Sequence, residues 1–167
     1  MKKIVGHKLN RGFTLVELLI AMVLFSIFIL VLTDIFSSVL NVKKESESTS
    51  YIDQDAQYII SRLFYDIPLA SAVAVPSSLG ATSSTLQVTI SGATYTYSSS
   101  SGNLVLTTAS GANALNSFNT ALNSLSFLRL GKGSGKDTVQ VQFTLISKLR
   151  QASGYESKSY QTTIGIR

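Results

Sequence analysis

The sequence predicts an α+β protein in which a long N-terminal membrane-spanning helix packs on an antiparallel β-sheet head. Three observations predict it. Residues 13–36 form an almost unbroken apolar run, no proline or glycine interrupts the chain from there to Ile67, and beyond Pro68 the apolar residues recur at every second position.

The apolar run begins Phe13-Thr14-Leu15-Val16-Glu17-Leu18 and extends over residues 13–36. At about 1.5 Å per residue it spans roughly 36 Å as a helix, enough for the hydrocarbon core of a bilayer. Lys2, Lys3, Lys8 and Arg11 precede it, so the first dozen residues are expected in the cytoplasm and the rest outside. A secretory signal has a shorter apolar core, with its small-residue cleavage site on the far side. A buried helix of a soluble protein leaves the cationic cluster unexplained. A plain membrane anchor accommodates everything except Glu17, whose ionised carboxylate costs at least several kcal/mol in hydrocarbon unless it is paired or reaches the interface. An ionisable group in that position is a functional-site candidate, and the question it raises is which cation meets it.

Past the span, residues 41–50 are polar all round, the weakest stretch of the expected helix. Ile52, Ala56, Ile59, Leu63 and Ile67 then recur at spacings of three and four, a single apolar stripe suited to packing on a sheet. Pro68 ends the helix, because it lacks an amide donor and clashes with the preceding turn. Leu86, Val88 and Ile90 alternate with polar residues, Ser91-Gly92 supplies a turn, and Tyr95 and Tyr97 alternate in the next run. With Leu104–Leu106 after a loop at 98–102, these form an expected three-stranded meander. Residues 112–123 are assigned a short helix. Strands are expected at 125–130, through Val139, Val141, Phe143 and Leu145, and at 160–166, with a Gly/Lys/Ser loop at 131–137.

Composition excludes several chemistries. The net charge of +5 falls to near neutrality once the four N-terminal cations are set aside, leaving 10 basic against 9 acidic side chains, so nucleic acid as a partner is not supported. Arg129, Lys132, Lys136, Lys148 and Arg150 read as a solvated face. With no cysteine and a single histidine, His7, thiolate metal sites and histidine-based hydrolase arrangements are ruled out. The segment Gly131–Asp137 lacks the leading Gly and the Ser or Thr after Lys that a phosphate-binding loop requires. After residue 66 the side-chain carboxylates are Asp137 and Glu156, too few for a calcium site in the head. No metal, no cofactor and no catalysis are expected.

The string Arg11-Gly12-Phe13-Thr14-Leu15-Val16-Glu17-Leu18-Leu19-Ile20-Ala21 resembles the class III signal of type IV prepilins and type II secretion pseudopilins. The resemblance implies the pilin fold and a prepilin peptidase that cuts on the cytoplasmic side after Gly12 and N-methylates Phe13. It implies that the leader charges Lys2, Lys3, Lys8 and Arg11 are removed and the apolar segment is kept. Glu17 would then pair with the new α-amino group of Phe13 between neighbouring subunits. Two costly buried charges become one compensated pair, so the pairing sets register. The implied partners are the peptidase, other pilin or pseudopilin subunits, the inner membrane and the assembly platform. The implied divisions are a leader at 1–12, a filament-core helix at 13–36, an amphipathic continuation at 37–67 and a β head at 68–167. The closing Thr162-Thr163-Ile164-Gly165-Ile166-Arg167 is also similar to minor pseudopilins of the J type. Many members place a proline where this chain has Asp34, which bears on whether the helix kinks there. Two other readings stand beside this one: a filament-displayed binding module for adhesion or DNA uptake, using Tyr95, Tyr97 and the Lys132/Lys136 loop, and a plain single-span membrane-anchored surface protein.

Overall fold

The computed structural model describes residues 13–131, 135–151 and 153–167. Helix α1 runs Leu15–Asp66 and is unbroken at Asp34. The chain divides after Leu40 into two units.

In the first unit every residue from Phe13 to Leu40 is exposed, and the helix carries an 18-residue window of mean hydropathy 3.0 against which none of the described residues packs. An apolar surface of this kind is stable only in a non-aqueous setting or against partners. Within residues 15–36 the hydroxyls of Ser26 and Thr33 are satisfied inside the helix: Ser26 donates to the Met22 carbonyl at 2.8 Å and Thr33 to the Ile29 carbonyl at 2.9 Å. That suits hydrocarbon, which offers no water to an unpaired polar group.

In the second unit, residues 41–167, α1 buries Ile52, Ala56, Ile59 and Leu63, each no more than 1 % exposed, followed by Ile67 in a short 3-10 turn, Ile67–Leu69. The stripe read from the sequence is thus the face that meets the sheets. Each of the Ile and Leu side chains contributes about 1.5–3 kcal/mol of apolar burial. Pro68 lies in that turn, where its missing donor breaks no helical bond.

The head has two antiparallel sheets rather than one. The strands are β1 (Ala72–Val75), β2 (Thr82–Ser83), β3 (Leu86–Ile90), β4 (Ala93–Ser100), β5 (Asn103–Thr108), β6 (Gly111–Ala114), β7 (Thr120–Leu130), β8 (Thr138–Gln151) and β9 (Gly154–Gly165). One sheet has the order β1-β3-β4-β5-β6, the other β2-β7-β8-β9. The meander of β3, β4 and β5 turns on Ser91-Gly92 and Ser101-Gly102, with φ of 50°, 81°, 51° and 74°. Two consecutive positive φ values define the tight hairpin turn whose twist matches its strands, and Gly takes the second position of each at no steric cost.

Residues 112–123 do not form the expected helix. They supply β6, a loop, and the start of β7. Polar side chains there satisfy the backbone without a helix. The Asn116 side-chain Oδ1 accepts the Leu104 amide at 2.9 Å, and its Nδ2 donates to the Thr120 backbone carbonyl at 3.2 Å and to Asn103 Oδ1 at 3.1 Å. The last strand also begins six residues before the expected 160, at Gly154. Inward residues Val139, Val141, Phe143 and Leu145 of β8 are fully buried, and Phe143 stacks on its cross-strand partner Tyr160 at 5.4 Å.

Candidate assembly site

The N-terminal site is built on a helix cap. Thr14 precedes α1, and its hydroxyl accepts the amide of Glu17 at 3.2 Å while its carbonyl accepts the amide of Leu18 at 3.2 Å. Thr-x-x-Glu is the capping-box pattern, in which the first residue satisfies an orphan amide of the first turn and the acid sits near the positive end of the helix dipole. Sequence reasoning identified Glu17 from its misplaced charge and missed Thr14, although the same four residues carried the capping signal.

Glu17 is exposed, set among Val16, Leu18, Leu19 and Ile20, themselves 52–63 % exposed. Among the described residues no hydrogen bond or ion pair reaches its carboxylate. Phe13, 78 % exposed, lies four residues before it, about 6 Å of helical rise. The Glu17 carboxylate and Phe13 are therefore within about one turn of each other along the chain. Gly12 and the leader charges Lys2, Lys3, Lys8 and Arg11 lie outside the described residues.

The aspartates that α1 carries within the head act as fasteners. Asp53 accepts Lys158 Nζ at 3.0 Å and the Tyr160 hydroxyl at 2.7 Å, both on β9. The Tyr160 hydrogen bond, then Lys158, holds the Asp53 carboxyl below its ordinary value, while burial and the same bond hold the Tyr160 hydroxyl protonated well above the usual phenol range. Asp55 accepts the Ser117 amide at 2.9 Å, the Ser117 hydroxyl at 2.8 Å and the Thr120 hydroxyl at 2.5 Å. Asp66, only 2 % exposed, accepts Arg62 Nε at 2.8 Å and the Tyr97 hydroxyl. Burial first, then Asp66, keeps the Tyr97 proton in place far above pH 10.

Two residues are elsewhere than the sequence suggests, Tyr97 of the recognition reading and Arg129 of the solvated face. Tyr97 is fully buried against Asp66 and offers no ring to a ligand, whereas Tyr95 is half-buried. Arg129 is not on a solvated face: it is 17 % exposed, donates from Nη1 to the carbonyls of Val73, Pro76 and Ser77 at 3.0 Å each, and from Nη2 to Asp137 at 2.7 Å. Its guanidinium closes the segment after β1 against the β7–β8 connection. Lys136, Lys148 and Arg150 are exposed, and Lys132 lies outside the described residues. No group of three or more metal-ligating side chains occurs among the described residues.

Among the described residues one apolar helix is long enough to cross a membrane, and it carries an acid in its first turn that no described residue pairs; with the two-sheet head after it, this defines a membrane-anchored subunit of the pilin fold. Residues 7–33 match the family model of the prokaryotic N-terminal methylation motif, which marks the chain as type IV pilin-like and of the kind that prepilin peptidase processes. The family bearing this motif is structural rather than enzymatic. Comparisons with curated proteins and with solved structures return no significant match.

Proposed function

We propose that the chain is a structural subunit, a minor pilin or pseudopilin, of a type IV pilus or type II secretion filament. Prepilin peptidase removes residues 1–12 by cutting after Gly12 and methylates the Phe13 amine. The helix of residues 13–36 holds the subunit in the inner membrane with the head outside the cytoplasm, and then joins the filament core. Residues 37–67 carry the helix into its head, 68–167. Glu17 pairs with the Phe13 amine of a neighbouring subunit, and the geometry that satisfies both charges fixes the stagger of the helices.

The observation that supports this reading is Glu17 itself: a carboxylate with no partner among the described residues, one turn from Phe13, on a stretch of helix exposed throughout from Phe13 to Leu40. A plain anchor has no use for it. Mass spectrometry of the protein from its native membrane is expected to find a mature chain beginning at methylated Phe13. In cells with the peptidase, an intact Met1 start would refute the proposal. Glu17→Ala is expected to be processed and inserted but not incorporated, and unchanged incorporation would favour the plain-anchor reading.

A further inference from the structure

On β4, β5 and β6 one cross-strand row runs from the core to solvent. Tyr97 pairs with Leu106 and Leu106 with Asn113, and the row passes from a fully buried tyrosine through a leucine 5 % exposed to an exposed asparagine on the edge strand. Tyr95 and Thr108 stand two residues from Tyr97 and Leu106, on the same face. Beside this row a recess of about 280 Å³ opens, with Tyr58 and Arg62 of α1 on one side and Tyr95, Thr108, Ser110 and Asn113 on the other. Two aromatic rings and four polar side chains therefore converge on it.

The polar groups are held ready. Arg62 donates from Nε to Asp66 at 2.8 Å, and its guanidinium lies 5.8 Å from the centroid of the Tyr65 ring, so it is fixed in place and its charge is compensated. Thr108 and Ser110 share one hydrogen bond at 2.8 Å, which leaves both oxygens able to accept another. We propose that this recess binds one uncharged pyranose ring, the end unit of a glycan. The proposal adds a recognition role to the filament role and does not depend on it. An anionic ligand gains little there, because Asp66 already balances the cation of the recess. An apolar ligand strips water from four polar side chains and returns no hydrogen bond. A pyranose satisfies both kinds of wall: its C–H faces pack on Tyr58 and Tyr95, and its hydroxyls, donors and acceptors alike, meet the amide, the two hydroxyls and the guanidinium. The volume falls just short of the roughly 300–1,000 Å³ of drug-sized sites, which suits a single ring with the rest of the glycan in solvent.

Saturation-transfer NMR on the full chain in a sugar-free zwitterionic detergent tests this, with methyl β-galactoside, methyl α-mannoside, N-acetylglucosamine and glucuronate as probes. At least one of the three uncharged sugars is expected to receive saturation at its ring C–H protons, with a Kd of about 1–10 mM, and glucuronate to bind no tighter. Binding confined to N-acetylglucosamine supports the proposal with an N-acetylated glycan as the source, and binding confined to the methyl glycosides supports it with a plain hexose. Tyr58→Ala and Asn113→Ala, both at exposed positions, are each expected to weaken binding about fivefold or more, whereas Tyr58→Phe keeps the ring and stays within about twofold of the parent. No saturation of any uncharged sugar at about 50 mM, tighter binding of glucuronate, or parental affinity in either alanine variant would overturn the proposal.

Discussion

Asp55 makes three hydrogen bonds to residues more than 60 positions away, and from the sequence it is only a polar residue on an amphipathic helix. Nothing local reports its partners, because Ser117 and Thr120 come to it through the loop that replaces the expected helix at 112–123. Asp55→Ala leaves the buried Thr120 hydroxyl without its acceptor, and a loss of about 1–3 kcal/mol is expected in chemical denaturation of the detergent-solubilised chain. Tyr97 is misread for a related reason: alternation places it on a face without saying which face is covered. Tyr97→Phe removes one donor from buried Asp66 but leaves Arg62, so a smaller loss than that of Asp66→Ala is expected in the same assay. Glu17, by contrast, is legible at once, since a charge inside an apolar run needs no tertiary information to be conspicuous.

At the level of elements, α1 and the inner strands are legible because burial imposes a period, three to four residues on the helix and two on β3 and β8. Leu63 is fully buried in the middle of the stripe, and Leu63→Ala is expected to cost about 2–5 kcal/mol through lost transfer energy and a residual cavity. β6 escapes detection because all four of its residues are exposed, which leaves no alternation to read, and only its pairing with β5 makes it a strand. β2, two residues long, is likewise defined by its partner β7. Division of the strands between two sheets depends on which edges meet, and periodicity carries no information on that.

For the whole molecule, the unit from Asn41 to Arg167 contains its own core, whereas residues 13–40 bury nothing. A fragment of residues 41–167 is therefore expected to unfold cooperatively in water without detergent, which circular dichroism on heating would check. Its pH dependence follows from the fasteners. Tyr97 and Tyr160 have folded-state pKa values raised above the ordinary 10.0, so their contribution is complete below that value and is lost as pH rises above it. Asp53 is lowered from 3.8, so its contribution is present above that value and lost as pH falls through the folded pKa. Denaturation midpoints are expected to hold near neutrality and to decline on both sides, and Tyr160→Phe should flatten the alkaline limb.

The three aspartates of α1 also have a mechanical meaning. Asp53 grips β9, Asp55 the loop before β7 and Asp66 the β4 tyrosine, at points spread over 13 residues, or about 20 Å of the helix. A pull along the helix loads all three attachments at the same moment, in shear, where a pull at right angles would peel them one by one. A subunit hauled by its N-terminal end is therefore built to resist the direction of traction it would meet.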